Sequence, residues 1–143
     1  MMRLLGGVAV VIALFALPAT AQDAAAALKP LQGRWVVTGG EHNGKPMDSL
    51  NGGVMTVSGD NFEIRTVSGN LLKGALRVDT SKRPFHMDLL HTDGGRWEAI
   101  YEVAADTFRM NYVDIELKEP RPASFTTSEK SEASVVTLRR ESR

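Results

Sequence analysis

The chain has 143 residues, no Cys, and 17 Lys and Arg against 17 Asp and Glu. The lack of Cys excludes disulfide staples, thiol catalysis and thiolate metal sites, so burial of apolar surface must hold the fold by itself. The balanced, scattered charge gives no basic face for nucleic acid or an anionic membrane and reads as a solvated surface.

The first element is not part of a fold. Arg3 supplies a positive charge ahead of "LLGGVAVVIALFAL" (4–17), Pro18 breaks that run, and "ATA" ends it with small residues at Ala21. This is the pattern of a secretory signal peptide over 1–21, cut after Ala21. A membrane anchor is the alternative reading. The apolar run falls short of the roughly 20 residues a span requires, and no basic stop-transfer cluster follows it. A mature chain from Gln22 would hold 122 residues, one domain's worth, would be periplasmic or secreted, and would have no stable membrane insertion. Residues 22–33 read as a leader with at most a short helical turn, because Pro30 and Gly33 stop the helix-prone "DAAAAL".

From 34 to 143 the pattern is β. Runs of alternating apolar and polar residues are separated by turn residues. They cover Arg34–Glu41, Val54–Ser58, Asn61–Val67, Leu71–Asp79, Phe85–His91, Arg96–Val103, Thr107–Val113 and Ser134–Glu141. "GD" at 59–60, "SGN", "TDGG" and "AAD" are short turns, "HNGKP" and "TSKRP" are loops, and Asp114–Ala133 is a long polar connection. The expected fold is all-β: an antiparallel, eight-stranded, up-and-down barrel. Closure would remove the two raw edges of such a meander, and a sandwich is the competing arrangement.

Alternation assigns an inner face. It holds Trp35, Val37, Met55, Val57, Phe62, Ile64, Leu72, Gly74, Leu76, Val78, Met87, Leu89, His91, Trp97, Ala99, Tyr101, Val103, Phe108, Met110, Tyr112, Val136 and Leu138. Glu63, Arg65, Lys73, Arg77, His86, Asp88, Glu98, Glu102 and Arg109 fall between them and suit solvent. The first two strands are ambiguous by one register.

Gly33-x-Trp35 at the head of the first strand resembles the G-x-W signature of lipocalins and related small barrels. In those folds the Trp closes the barrel base and a basic residue from the last strand packs across its ring. Here "LRRE" puts Arg140 on the face of Val136 and Leu138, where its cation would meet the indole or reach solvent from the rim. The order "LQGRW", "NGKP", "VSGDNF", "GALRVDTSKRP", "MDLLHTDG", "AIYEV", "DTFRMNY", "RPASF", "VTLRRE" spans nearly the whole mature chain. It is similar to an uncharacterised bacterial lipocalin-like domain family. Ala104-Ala105 departs from that pattern at a turn where Asp-Gly is usual, and His91 where an aliphatic residue is usual. The resemblance implies a fold and brings no catalytic residues.

Residue patterns that carry chemistry are few. His86 and Asp88 share a strand face but lack the further ligands of a closed metal site, so no metal and no cofactor is expected. No G-x-S-x-G elbow occurs, and no His is placed to activate Ser124 or Ser134. Asp114 and Glu116 lie in a loop with no burial to raise a carboxyl pKa. The Gly pairs precede no helix that could hold phosphate. No catalytic constellation stands out, and an enzyme is disfavoured.

The expected role is therefore a binding module for a small apolar or amphipathic ligand. Met87, His91, Trp97, Tyr101, Met110 and Tyr112 would line the barrel, while Gly33, Trp35 and Arg140 would close it. His91 would contact a ligand or be satisfied by Tyr101 or Tyr112. The alternative function is a protein-interaction or inhibitor domain that engages its partner through Asp114–Ala133.

Overall fold

A computed structural model describes residues 21–142. The segment read as a signal peptide lies outside these residues, apart from Ala21. Helix α1 (Ala21–Leu28) and a 3-10 turn (Lys29–Leu31) lead into β1 (Gly33–His42). Then come β2 (Lys45–Pro46), a 3-10 turn (Asp48–Leu50), β3 (Val54–Ser58), β4 (Asn61–Arg65), β5 (Leu71–Asp79) and β6 (Phe85–His91). The chain ends with β7 (Arg96–Ala104), β8 (Thr107–Asp114), a 3-10 turn (Ile115–Leu117) and β9 (Ser134–Arg140). Among the described residues no helix is long and apolar enough to cross a membrane.

The strands pair antiparallel in the order β1-β3-β4-β5-β6-β7-β8-β9, and β9 pairs back onto β1 from Trp35↔Arg140 to His42↔Ser134. That last pairing makes a closed eight-stranded barrel and excludes the sandwich. The extra strand, β2, folds back on the far end of β1 through Glu41↔Pro46 and His42↔Lys45. Its turn is Asn43-Gly44, with φ of +53° and +74°. This is the Asn-Gly hairpin signal inside a segment that reads as a plain loop.

The expected strand spans hold to within one residue at each end. The exception is β4, which stops at Arg65, two residues short. There Thr66 leaves the ladder to build a turn: its Oγ1 accepts from the Asn70 N–H at 2.9 Å, and its own N–H donates to the Asn70 carbonyl at 2.9 Å. The first two registers are also settled. Trp35, Val37, Met55 and Val57 all face inward and are buried.

The inner face forms one continuous core running from Leu28 and Leu31 through Trp35, Phe62, Met87, Tyr101 and Phe108 to Leu138. The expected short leader is a two-turn helix because tertiary packing completes it: Leu31 is fully buried and Leu28 nearly so beneath the barrel. Gln32 locks this cap to the β3–β4 turn. Its Nε2 donates to the Gly59 carbonyl at 2.8 Å, and its Oε1 accepts from the Gly59 N–H at 2.7 Å. Gly74 in β5 lets the β6 backbone come close: a Cβ there would stand 1.9 Å from the Leu90 carbonyl oxygen.

The outer wall differs from expectation. Ile100, Asn111, Val113 and Val135 alternate outward yet are buried. The long connection of residues 115–133 lies on this wall. Arg121 Nη1 donates to the Met87 and Ala99 carbonyls at 3.0 and 2.8 Å, and Nη2 meets Asp88 at 2.6 Å and Glu98 at 3.0 Å. Asn111 Nδ2 donates to the Ser124 carbonyl at 2.7 Å. Arg109 stacks on Phe125 at 4.2 Å. Asp88, Glu98 and Arg109 are thus partly covered. They belong to a second, smaller packing layer and not to a free solvated face.

Ala105 in the β7–β8 turn has φ of +50°, a region that favours Gly. Ala105→Gly is expected to stabilise the fold by about 0.5–1 kcal/mol, read as a higher urea midpoint with an unchanged slope.

Candidate functional site

The barrel has two unlike ends. At the base, Trp35 is fully buried and donates from Nε1 to the Leu31 carbonyl at 2.9 Å. The Arg140 guanidinium lies over its ring, 4.2 Å from the centroid. Arg140 Nη1 donates to the Gln32 carbonyl at 2.6 Å and Nη2 to the Pro30 carbonyl at 3.1 Å, so one cation ties the last strand to the cap. Gly33, at φ +115°, passes so close that a Cβ there would stand 3.1 Å from Arg140 Nη1. Phe108 meets Trp35 edge-on at 5.5 Å, and Tyr101 meets Phe108 at 6.2 Å. This end is solid.

At the other end, where β1 meets β2 and where the β4–β5 and β6–β7 turns lie, the core is incomplete. A cavity of about 80 Å³ is lined by Val37, Leu50, Gly53, Met55, Ile64, Thr66, Leu72, Trp97, Met110, Tyr112, Val136 and Leu138. Among the described residues no charged side chain lines it. Trp97 and Tyr112 form one wall, stacked with centroids 4.5 Å apart and planes 18° from parallel. Burial raises the Tyr112 phenol's pKa, partly opposed by Ser134.

Of the six candidate lining residues, the structure places Trp97, Met110 and Tyr112 on the cavity. Met87 and Tyr101 are fully buried in the solid lower core. Burial pushes the Tyr101 phenol up to about 12, so it stays protonated at any physiological pH. His91 stands behind Trp97, 4.4 Å from that ring and 5.3 Å from Phe62, and neither tyrosine meets its ring. Val37, Leu50, Ile64, Thr66 and Leu72 complete the wall. Leu50 falls outside the strands, where alternation gives no direction; Thr66 lies just past the end of β4, on the inward parity of Phe62 and Ile64.

His91 Nε2 is buried and has no hydrogen-bond partner among the described residues. Burial lowers its pKa, partly opposed by Asp93 and Asp114. The unfolded chain, at about 6.5, therefore binds the proton more readily than the folded one. Stability should fall as pH drops through 6.5 toward the lower folded value. His91→Phe should flatten that segment relative to the parent, measured by chemical denaturation between pH 7.5 and 5.

Among the described residues no group of three or more His, Asp and Glu converges on a point that could hold a metal. Asp88, the partner considered for His86, is instead held by Arg96 at 2.9 Å and Arg121 at 2.6 Å.

No protein-family model matches the chain, and no curated protein does. Among solved structures it is similar to a de novo designed fluorescence-activating β-barrel. The TM-score is 0.46 at 15% identity, over 80% of this chain and 97% of that one.

Proposed function

We propose that this is an exported binding module of the lipocalin-like kind, taking a small apolar or amphipathic molecule at the open end of its barrel. The observation that carries this reading is the apolar cavity walled by Trp97, Met110 and Tyr112. A barrel of eight strands is the size at which side chains either fill the interior or leave room for one small guest. Here they do the first at the base and the second at the mouth. Export is supported by the apolar run and small-residue site of the first 21 residues.

The cavity is about half of the ~150 Å³ that accepts benzene in an engineered apolar core. Short alcohols such as 1-butanol and 1-pentanol are therefore suitable probes. Both should saturably shift the Met110 methyl resonance. Ile64→Phe, which projects a ring into the space, should weaken binding about tenfold or more while the protein stays folded. Absence of any saturable shift with either alcohol would overturn the proposal.

A further inference from the structure

A second hollow lies outside the barrel and shares no lining residue with the apolar cavity. The long connection, from Glu119 to Ala133, encloses it against the outer wall, and it measures about 340 Å³. A water takes about 30 Å³ in the liquid, so the space has room for a small organic ion.

Asn111 of β8 lines the hollow from the barrel side and is only 1% exposed. Its Nδ2 donates to the Ser124 and Thr126 carbonyls at 2.7 and 3.3 Å, both on the opposite side of the lining. Its Oδ1 is buried and has no hydrogen-bond partner among the described residues. Buried polar atoms are nearly always paired, so a donor is missing here.

The rest of the lining is short of donors too. Pro120 and Pro122 have no N–H. The Ser124 and Thr126 hydroxyls bond to each other at 2.8 Å. Thr127 Oγ1 donates to Glu41 at 2.5 Å. Arg121 spends its guanidinium on the barrel wall, on two carbonyls and on Asp88 and Glu98. Glu119 accepts only a long bond, 3.2 Å, from the Glu132 N–H, and its carboxylate keeps most of its acceptor capacity. The hollow therefore presents acceptors and one negative charge that no lining cation offsets.

We propose that this hollow binds a small primary ammonium ion. The N–H groups of the ion donate to the Glu119 carboxylate and to Asn111 Oδ1, and its charge balances Glu119. An anion would face the carboxylate, and an apolar guest would leave the acceptors unpaired.

The test is a titration with ethylammonium chloride at constant ionic strength, followed by the main-chain and side-chain amide resonances of Asn111. The shift should saturate. Tetramethylammonium has the same charge and no N–H, and should bind about tenfold more weakly or worse. Glu119→Gln keeps an acceptor for the Glu132 N–H and should weaken ethylammonium binding about fivefold. Glu129→Gln removes an exposed acid of the same connection that does not line the hollow, and should leave the affinity unchanged. No saturable shift, equal binding of tetramethylammonium, an unchanged affinity in Glu119→Gln, or an equal loss in both variants would overturn the inference. None of these results bears on the barrel cavity.

Discussion

Trp35→Ala lowers the unfolding free energy by about 3–5 kcal/mol, the range for deleting a buried aromatic and leaving a cavity. Trp35 is fully buried where strand, cap and tail meet, and its loss removes three things together. Apolar burial goes, as does the Nε1 bond to the Leu31 carbonyl at 2.9 Å. So does the ring that carries the Arg140 cation at 4.2 Å, an interaction of about 0.5–2 kcal/mol depending on its exposure. Trp35→Phe should lose less, because it keeps a ring against Phe108 and Arg140 and gives up only size and the N–H. Urea denaturation followed by circular dichroism measures both. A loss below about 1 kcal/mol for the alanine variant would mean that the base is not closed as described.

Arg121→Met is the second large effect, expected at about 2–4 kcal/mol. In the barrel wall Asp88 and Glu98 stand directly across from each other on β6 and β7. Like charges in that relation repel. Arg121, with its side chain only 18% exposed, sits between them and also satisfies two main-chain carbonyls. Removing it leaves the carboxylates facing each other with only Arg96 against Asp88, and loosens the connection around residue 121, which Asn111 and Arg109 still hold at Ser124 and Phe125. The contrast is Arg109→Met, whose ion pair with Glu102 is more exposed and should cost about 1 kcal/mol or less from the charge alone. Arg121→Lys should recover only part of the loss, since an ammonium lacks the fork that reaches carbonyls and carboxylates together. Faster amide exchange at Ile100, Asn111 and Val113 in the Met variant would report the strap lifting.

What the sequence makes legible here follows from period two. One face of each strand is apolar, so strand direction and facing are readable without the fold, and the Trp35–Arg140 meeting follows once both are assigned to the same face at adjoining ends. Closure itself is less directly encoded, because the β1–β9 pairing joins residues about a hundred positions apart. The cavity position is not encoded at all. Met87 and Met110 have the same facing and chemistry, yet one is packed solid and the other borders open space. The difference lies in the cap, where Leu28 and Leu31 fill one end and nothing comparable among the described residues fills the other. The strap was hidden for another reason: polar loops carry no periodicity. A signal did exist, however. Once registers are assigned, Asp88 opposite Glu98 is an arrangement that calls for a cation, and Ile100 and Val113 are apolar on a face that should be wet.

Binding as proposed requires a barrel closed at the Trp35 end and open to an apolar guest at the Trp97–Tyr112 end. A crystal structure under xenon pressure tests this most directly. Xenon should occupy a single interior position bounded by Met55, Trp97, Met110 and Tyr112, with β1 and β9 paired alongside. An interior without xenon, its side chains filling that space, would contradict it.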